Sequence, residues 1–356
     1  MKQYFVMGSY TEPILFGTGE VFQGKGKGIT ICSFEHGEIR VIEELEVRNP
    51  SFLCINEKKN KIYAVNEMKE YLGKTGGGVT QISYDEQFRM KVEGSWNTRG
   101  TDPCHIAMEP KSQFLAIANF ASGAVTSYPL RADGSIDGNA MSFFQHNGRS
   151  VNENRQRGPH AHSCIFSMES SRFYVPDLGV DKLLVYDYDG TIIEHEKEAD
   201  IQVPAGSGPR YGEFSKDGAH FYLINEISSQ VMHYTCKNGK LVKVDAVSTL
   251  PQDFTGENIC SDLHITPNGN FLIASNRGHD SLVCYRIADD GKLEFAERQD
   301  CGGKTPRNFA IDPTGHYLLV GNQDSDRIVV FSIDANGHME KVSQFATGSP
   351  VCIRFF

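Results

Sequence analysis

The chain has 356 residues, of which 39% are hydrophobic and 22% charged, and its formal net charge at pH 7 is −10. This apolar content argues against a disordered chain, and the acidic balance argues against a general nucleic-acid-binding protein, which needs a basic surface. The amino-terminal residues contain no basic segment followed by a long apolar run, and no stretch of about 18 apolar residues follows. We therefore expect a cytoplasmic protein with neither a nucleic-acid partner nor a membrane partner.

The nine cysteines show no CxxC motif, and several lie inside apolar runs, such as Cys54 in SFLCI and Cys284 in SLVCY. Cysteines in this setting are typical of small buried hydrophobic residues in a reducing compartment. The sequence therefore predicts free thiols rather than a disulfide framework.

The first segments of the chain, QYFVMGSYT, KGITICSF and GEIRVIEELEV, are short, are rich in Val, Ile, Phe and Tyr, and predict β-strands. One pattern then recurs: a small residue or proline, an apolar run, a polar turn, and a second apolar run that ends in Asn or Asp. Its copies begin at Asn49, Asp102, Gly158, Gly208, Cys260 and Thr305. A single further first strand, SPVCIRFF from Ser349, ends the chain.

Each copy contains four short apolar runs between turn residues, and four-stranded units of about 40–50 residues are typical of β-propellers. The last unit supplies only its first strand, and the amino-terminal strands supply the other three. The sequence therefore predicts an all-β, seven-bladed β-propeller with four antiparallel strands per blade, closed by pairing of the two chain ends. Because no linker interrupts the pattern, residues 1–356 are expected to form one propeller domain; an open array and two β domains are the alternatives.

The long connecting segments fall mostly on one face of this propeller. We letter the strands of a blade A to D from the centre outwards, number the blades one to six from Asn49, and count the closing blade as seven. The top is the face where strand A begins and strand B ends. The long segments there are 11–27, 68–76, 147–158 and 251–259. Since sites are usually built from long loops on a rigid scaffold, we expect function at the top; neutral insertion is the alternative.

Polar residues cluster at the strand-A starts and strand-B ends of this face. His160 and His162 are two residues apart, so a regular strand directs both to one side. Blades four and five should bring Arg210, Glu226 and Arg277 to the same side of the channel mouth. A histidine, a carboxylate and two arginines supply a general base and a clamp for a developing oxyanion, so we predict these five residues to be catalytic. The predicted substrate-binding residues are His105, Arg155, Arg157, Arg307, Asn66 and Glu67.

Several of these patterns also have a structural interpretation. The two histidines resemble a metal-binding pair, but the usual third and fourth ligands are not evident, so no metal is predicted. The Asn or Asp that ends each strand B suits hydrogen bonding to local backbone. Glu226 and Arg277 would also serve as an ion pair joining blades four and five. GKGKG from Gly24 lacks the strand–loop–helix context of a phosphate loop and predicts a turn or lid.

A set of short motifs resembles a known family. The motifs are GSYT near the start, RQxxPHxH at 155–162, DLGxD at 177–181, GPR at 208–210 and SNRGxDS at 275–281. Together they resemble the lactonase-type seven-bladed propellers, which include the bacterial propeller 6-phosphogluconolactonases and the fungal carboxy-muconate lactonising enzymes. The resemblance covers essentially the whole chain. The sequence departs from many relatives at Tyr211, where they carry histidine, and this leaves the role of Arg210 unaffected.

The resemblance implies lactone-ring chemistry without a cofactor, with the catalytic roles on His160 or His162, Arg210, Glu226 and Arg277. The expected reaction is hydrolysis of 6-phospho-D-glucono-1,5-lactone, with Arg155, Arg157 or Arg307 holding the phosphate. The alternatives are a cycloisomerase, a lactonase for another anionic lactone, and a non-catalytic interaction propeller. The expected partner is one small anionic lactone, and the expected assembly is a monomer or a weak homodimer.

Overall fold

The structure, a computed structural model, describes residues 2–16, 19–168 and 170–356. Its strands in chain order are β1 (Gln3–Ser9), β2 (Ile14–Leu15), β3 (Val21–Phe22), β4 (Ile29–Glu35), β5 (Glu38–Leu45), β6 (Leu53–Asn56), β7 (Lys61–Asn66), β8 (Glu70–Tyr71), β9 (Lys74–Thr75), β10 (Gly78–Tyr84), β11 (Met90–Asn97), β12 (Pro103–Met108), β13 (Phe114–Asn119), β14 (Ala124–Pro129), β15 (Ser142–Gln145), β16 (Ile165–Phe166), β17 (Arg172–Asp177), β18 (Lys182–Asp189), β19 (Ile192–His195), β20 (Ile201–Gln202), β21 (Pro209–Phe214), β22 (His220–Asn225), β23 (Gln230–Lys237), β24 (Lys240–Ser248), β25 (Ile259–Ile265), β26 (Phe271–Arg277), β27 (Ser281–Ile287), β28 (Leu293–Asp300), β29 (Pro306–Ile311), β30 (Tyr317–Asn322), β31 (Arg327–Ile333), β32 (Met339–Ala346) and β33 (Pro350–Phe355). Short 3₁₀ helices span Glu57–Lys59, Lys197–Ala199 and Gln323–Ser325.

Seven of the sheets are blades of four antiparallel strands, which confirms the predicted fold. From the centre outwards they are β6-β7-β10-β11, β12-β13-β14-β15, β16-β17-β18-β19, β21-β22-β23-β24, β25-β26-β27-β28, β29-β30-β31-β32 and, in blade seven, β33-β1-β4-β5. In blade three the short strand β20 also pairs with β18, and two small hairpins, β2-β3 and β8-β9, lie outside the blades.

The ring closes as the sequence predicts. Strand β1 pairs with β33 on one side and with β4 on the other, and Met7 lies opposite Ile353 in the β1–β33 register. Because both ends of the chain share one blade, β1 has a hydrogen-bonded strand on each side and no blade is left incomplete.

The inner strands are buried because neighbouring blades pack face to face. Strands B and C are apolar on both faces, as β30 illustrates, whereas outer strands such as β32 alternate between exposed and partly buried positions. Each pair of adjacent blades encloses a hydrophobic core; Val185 of blade three and Leu223 of blade four share one such core. Since each large apolar side chain contributes about 1.5–3 kcal/mol on burial, stability is spread around the ring.

Blade three begins differently from the prediction. Strand β16 starts at Ile165, so His160 and His162 precede the strand instead of forming its first residues. The backbone still follows the end of β17, because the N–H of His162 donates to the carbonyl of Pro176. The N–H of His160 instead donates to the side chain of Asp177 at 2.6 Å. A carboxylate replaces a strand carbonyl here, which ends the regular ladder and holds the two histidines at the top face.

β-Bulges mark the start of strand A in several blades. The register shifts between Pro103 and His105 in blade two, and the same shift follows the first proline of strand A in blades four and six. A bulge takes the extra residue out of the strand alternation and redirects its side chain. The extra residues in these three blades are Cys104, Arg210 and Arg307, and all three line the cavity at the top.

The cysteines form no disulfide, as predicted, and all are buried except the partly buried Cys54. Within the described ranges, no helix has the length and apolar character needed to cross a membrane.

Candidate active site

A cavity of about 960 Å³ opens at the top of the propeller, at the mouth of the central channel. Its walls come from the loops between blades and from the β2–β3 hairpin, whose Phe16 and Phe22 line the cavity. This hairpin lies within the long top segment 11–27, and its Gly17 and Thr18 lie outside the described residues. The GKGKG run from Gly24 follows the hairpin, and its interpretation as a turn or lid stays a prediction.

Nine of the eleven predicted site residues line this one cavity, although they come from five blades and a long loop. They are Glu67, Arg155, Arg157, His160, His162, Arg210, Glu226, Arg277 and Arg307. The other two, His105 and Asn66, lie elsewhere.

Glu226 lies at the centre of the arginines. Its carboxylate accepts hydrogen bonds from Nε of Arg210 and from Nη2 of Arg277, both at 2.9 Å, and it also accepts one from Arg155. The side chain is only 4% exposed. The predicted Glu226–Arg277 ion pair is therefore present, and it joins blades four and five inside the cavity rather than away from it.

The three guanidinium groups decide the charge of this carboxylate. Burial by itself would raise the pKa of Glu226, but the positive charges of Arg277, Arg155 and Arg210 outweigh it and hold the pKa well below its usual range. Glu226 is therefore ionised at neutral pH, and the cluster of one carboxylate and three arginines carries a surplus of positive charge.

His160 presents a free imidazole nitrogen in the same cavity. Its ring stacks on Phe120 with centroids 4.6 Å apart, and its Nδ1 lies 2.9 Å from the carbonyl oxygen of Phe120. Because a carbonyl only accepts, Nδ1 must carry the proton, and the neutral ring then has its lone pair on Nε2. Nε2 makes no hydrogen bond with any described residue, so it is available as a proton acceptor.

His162 lies deeper and in a different environment. Its Nδ1 is 3.7 Å from Sγ of Cys104, and its Nε2 is 3.9 Å from Glu226. Burial and, after it, the charge of Arg210 lower the pKa of His162 well below its ordinary value, so the ring is neutral. The same burial raises the pKa of the Cys104 thiol well above its ordinary value, which leaves it protonated and a poor nucleophile.

A second cluster of ionisable side chains faces the Glu226 cluster. It consists of Glu67, Arg307 and Tyr10, from blades one, six and seven. Nη2 of Arg307 lies 3.8 Å from Glu67, and Tyr10 donates its hydroxyl to the same carboxylate at 2.8 Å. The Arg307 guanidinium also lies 5.3 Å from the ring centroids of both Tyr10 and Phe16. Burial raises the pKa of Glu67, and the charge of Arg307 partly offsets this.

The loop that carries Arg155 and the histidines is fixed from below by buried polar side chains. Gln156 accepts from the N–H of Asn152 and donates to the carbonyl of Leu178 at 2.8 Å. Asp181 accepts from Ser150 at the start of the loop and from the N–H of Gly208, two residues before Arg210. The Gln and Asp of the RQxxPHxH and DLGxD motifs therefore position the residues that line the cavity.

Two predicted substrate-binding residues lie outside the main cavity. Asn66 is fully buried, donates to the carbonyl of Arg48 at 2.7 Å and accepts from Thr80, so it joins blade one to the segment that precedes it. The asparagines that end the other strands bind backbone in the same manner, as Asn276 does with the carbonyl of Thr249. Here the structural interpretation of the repeated Asn is the correct one.

His105 lies below the cavity because the bulge at Cys104 turns it away from the mouth. It lines a small cavity of about 20 Å³ beneath the main one, and its Nδ1 accepts from the N–H of Cys164. Burial lowers the pKa of His105 to about 3, so the ring is neutral and serves as a hydrogen-bond acceptor within the channel.

Several residues that line the cavity are not among the predicted site residues, and a positional rule identifies two of them. The residue after the Asn that ends strand B lines the cavity in five blades: these residues are Glu67, Phe120, Glu226, Arg277 and Gln323. Phe120 and Gln323 follow this rule, whereas Lys69, Asp102 and the hairpin aromatics have no comparable signal. Among the described residues no cluster of three or more His, Cys, Asp or Glu side chains has a metal-binding arrangement.

Comparisons with known proteins agree with this geometry. A family model described as "Lactonase, 7-bladed beta-propeller" matches residues 4–355. A 6-phosphogluconolactonase of Bacillus subtilis is 30% identical over 298 residues, which are 81% of this chain and 82% of the relative. A 6-phosphogluconolactonase of Formosa agariphila is 32% identical over 300 residues, 81% of this chain and 83% of the relative.

A solved structure extends the likeness to the whole chain. The periplasmic gluconolactonase PpgL of Pseudomonas aeruginosa is 30% identical and superposes with a TM-score of 0.90, covering 100% of this chain and 99% of its own. The propeller of seven closed blades, the motifs around the cavity and the match over residues 4–355 lead to one conclusion: the chain belongs to the family of seven-bladed β-propeller lactonases.

Proposed function

We propose that this protein hydrolyses the ring ester of a sugar 1,5-lactone, and that 6-phospho-D-glucono-1,5-lactone is its substrate. The observation that carries the proposal is the pairing, in one cavity, of a histidine with a free Nε2 and a carboxylate held by three arginines. The names of the B. subtilis and F. agariphila relatives support the choice of lactone.

In the proposed reaction, Nε2 of His160 takes a proton from a water molecule as the water oxygen attacks the lactone carbonyl carbon. The carbonyl π electrons move to its oxygen, which becomes the oxyanion of a tetrahedral intermediate. When the intermediate collapses, the bond from this carbon to the ring oxygen breaks, and protonated His160 returns its proton to the leaving oxygen. The products are the open-chain acid and an unchanged imidazole, so the proton and electron balance closes.

In this proposal Arg210 and Arg277 stabilise the oxyanion. Arg210 uses Nε on Glu226 and Nη1 on the carbonyl of Ser261, and Arg277 uses Nη2 on Glu226 and the carbonyl of Cys260. Nη2 of Arg210 and Nη1 of Arg277 have no hydrogen-bond partner among the described residues. Fixed donors of this kind contribute about 10²–10³ in rate each, and a positioned general base contributes about 10²–10⁴.

Glu226 acts through the arginines in this mechanism. A carboxylate whose pKa is held well below its usual range is a weak base, so it is poorly suited to activate water. Its three ion pairs instead hold the guanidinium groups in fixed positions before the substrate arrives. The proposal therefore makes Glu226 a positioning residue and His160 the base.

The test is hydrolysis of freshly prepared lactone, followed through the proton released with the acid product, after subtraction of the spontaneous rate. We expect the wild-type protein to exceed the spontaneous rate, and Arg277→Gln to lose about 10²-fold or more in kcat. Exposed Arg149, in a top loop but outside the cavity lining, provides the control substitution Arg149→Gln. Unchanged activity in Arg277→Gln would overturn this assignment of the site.

A second candidate is hydrolysis of the unphosphorylated lactone. The P. aeruginosa neighbour is named a gluconolactonase, and the residues that the hairpin contributes to the lining include the aromatic rings of Phe16 and Phe22 but no cation. Both candidates share the same ring chemistry and differ only in the group at C6.

A further inference from the structure

Most of the cationic side chains that line the cavity already have a carboxylate partner. Arg155, Arg210 and Arg277 bind Glu226; Arg307 lies beside Glu67, and Lys69 binds Asp102. Arg157 differs from all of them: among the described residues it has no carboxylate partner.

The guanidinium of Arg157 is held at one end and free at the other. Its Nε donates to the backbone carbonyl of Glu153, four residues earlier in the same loop. Nη1 and Nη2 make no hydrogen bond with any described residue, and the side chain is exposed at the cavity wall. A guanidinium fixed through Nε presents its two outer nitrogens as a fork, which is the geometry that binds a phosphate in bidentate fashion.

The wall around Arg157 also differs in charge from the rest of the mouth. Every other side of the cavity contributes at least one carboxylate to the lining: Glu20, Glu67, Asp102, Glu226, Glu257 and Asp324. The 147–158 loop contributes Asn152, Asn154, Arg155 and Arg157, and no carboxylate. A dianionic group would be repelled by the acidic sides and attracted to this one.

The position of the loop suits the far end of a lactone held at the catalytic groups. Arg157 precedes His160 by three residues, so their Cα atoms are at most about 11 Å apart. If the carbonyl carbon of a lactone lies beside Nε2 of His160, the C6 substituent of that lactone would be within reach of the Arg157 side chain.

From these observations we propose that Arg157 binds the phosphate of a phosphorylated sugar lactone and is the residue that selects this substrate over the unphosphorylated one. The inference rests on the proposed lactonase function and deepens it. Three arginines were expected to hold the phosphate, and we assign this role to Arg157 because Arg155 is bound to Glu226 and Arg307 lies beside Glu67.

The experiment compares 6-phosphogluconolactone with gluconolactone in wild type, Arg157→Gln, Arg157→Lys and the control Arg149→Gln. Arg149 is exposed in the same loop, outside the cavity lining, and its substitution changes the net charge by the same amount. We expect Arg157→Gln to lower the ratio of kcat/KM values, phosphorylated over unphosphorylated, by about 10- to 100-fold. Arg157→Lys should lower it less, and Arg149→Gln by less than about threefold.

A binding measurement keeps the inference separate from the reaction. Calorimetric titration with the products, 6-phosphogluconate and gluconate, should show tighter binding of the phosphorylated acid to wild type, and Arg157→Gln should remove that difference. If neither lactone is hydrolysed but this binding pattern holds, the proposed function fails and the phosphate site stands. If the ratio and the binding difference are the same in Arg157→Gln as in wild type, the phosphate site is wrong.

Discussion

The charge on Glu226 depends on neighbours that come from distant parts of the chain. One carboxylate among three largely buried guanidinium groups offsets part of their mutual repulsion, and among the described residues it is the only carboxylate that forms an ion pair with these three arginines. Taking charges out of water is costly, so removing one partner of such a cluster leaves charges that are buried and uncompensated.

We predict that Glu226→Gln destabilises the protein by about 3–5 kcal/mol at pH 7, measured by urea unfolding. Because its pKa is depressed, the contribution of Glu226 is fully present above its unfolded value of 4.5 and is lost only as the pH falls through the folded value. The control is Glu12→Gln, which breaks a surface pair with Arg48 and should cost less than about 1 kcal/mol. Equal losses in the two variants would contradict the role given to Glu226.

Substitution of the two histidines of the PHxH motif should lower kcat by different amounts. We predict that His160→Gln lowers kcat by about 10²–10⁴ with a small change in KM, because it removes the nitrogen that accepts the proton. His162→Gln should lower kcat by less than about tenfold, since the neutral His162 ring is buried against Cys104. Initial rates on fresh lactone measure both, and a larger loss in His162→Gln would reverse the assignment of the base.

At the scale of the strand and loop, the sequence predicts the site through its repeat. The first residues of strand A and the last of strand B recur in register, so the repeat alone assigns Arg210, Glu226 and Arg277 to one face of the propeller. The bulges could not be predicted from the regular alternation of the strands. At Cys104 the bulge breaks this alternation, and His105 therefore lies below the cavity.

The contacts of the 147–158 loop could not be predicted from the sequence either. Arg155 reaches Glu226 because Gln156 and Asp181 fix the loop to blade three and to the start of blade four. Such contacts join residues 20 or more positions apart, and no local pattern encodes them. The cytoplasmic location and the monomer or weak homodimer stay predictions.

The role of Gln156 in fixing this loop is testable. We predict that Gln156→Ala leaves the propeller folded but speeds amide hydrogen exchange in residues 149–157 and raises KM about 5- to 10-fold, through loss of about 1 kcal/mol or more of hydrogen bonding. Gln145→Ala is the matched control, since Gln145 also donates to backbone carbonyls, those of Ser122 and Gly123 in blade two. Similar exchange rates at 149–157 in both variants would show that Gln156 does not hold the loop.

At the scale of the whole molecule, polar contacts around the channel link four consecutive blades. Nδ1 of His264 in blade five donates to Glu213 of blade four at 2.9 Å, and its Nε2 lies 3.3 Å from Asp262. Asn308 of blade six donates to Asp262 at 2.5 Å and accepts from the N–H of Ile353 in blade seven at 2.7 Å. The chain of contacts ends on β33, the strand that closes the ring.

The protonation of His264 makes this link dependent on pH. Burial alone would lower its pKa, but Asp262 and Glu213 reverse the effect and raise the pKa to about 9. The unfolded value is about 6.5, so the folded state binds the proton more tightly. The stabilisation is therefore complete below about pH 6.5 and is lost as the pH rises towards 9, with a size on the order of 3 kcal/mol.

We accordingly predict that the free energy of unfolding of the wild type falls between pH 6.5 and 9, and that His264→Gln is less stable at pH 6.5 and loses most of this slope. The matched control is His36→Gln, since His36 is exposed in the turn between β4 and β5 and forms no hydrogen bond or ion pair with another blade among the described residues. Urea unfolding at a series of pH values measures the slope. A slope in His264→Gln equal to that of wild type would mean that another group titrates, and that the link between blades four and seven does not depend on a charged imidazole.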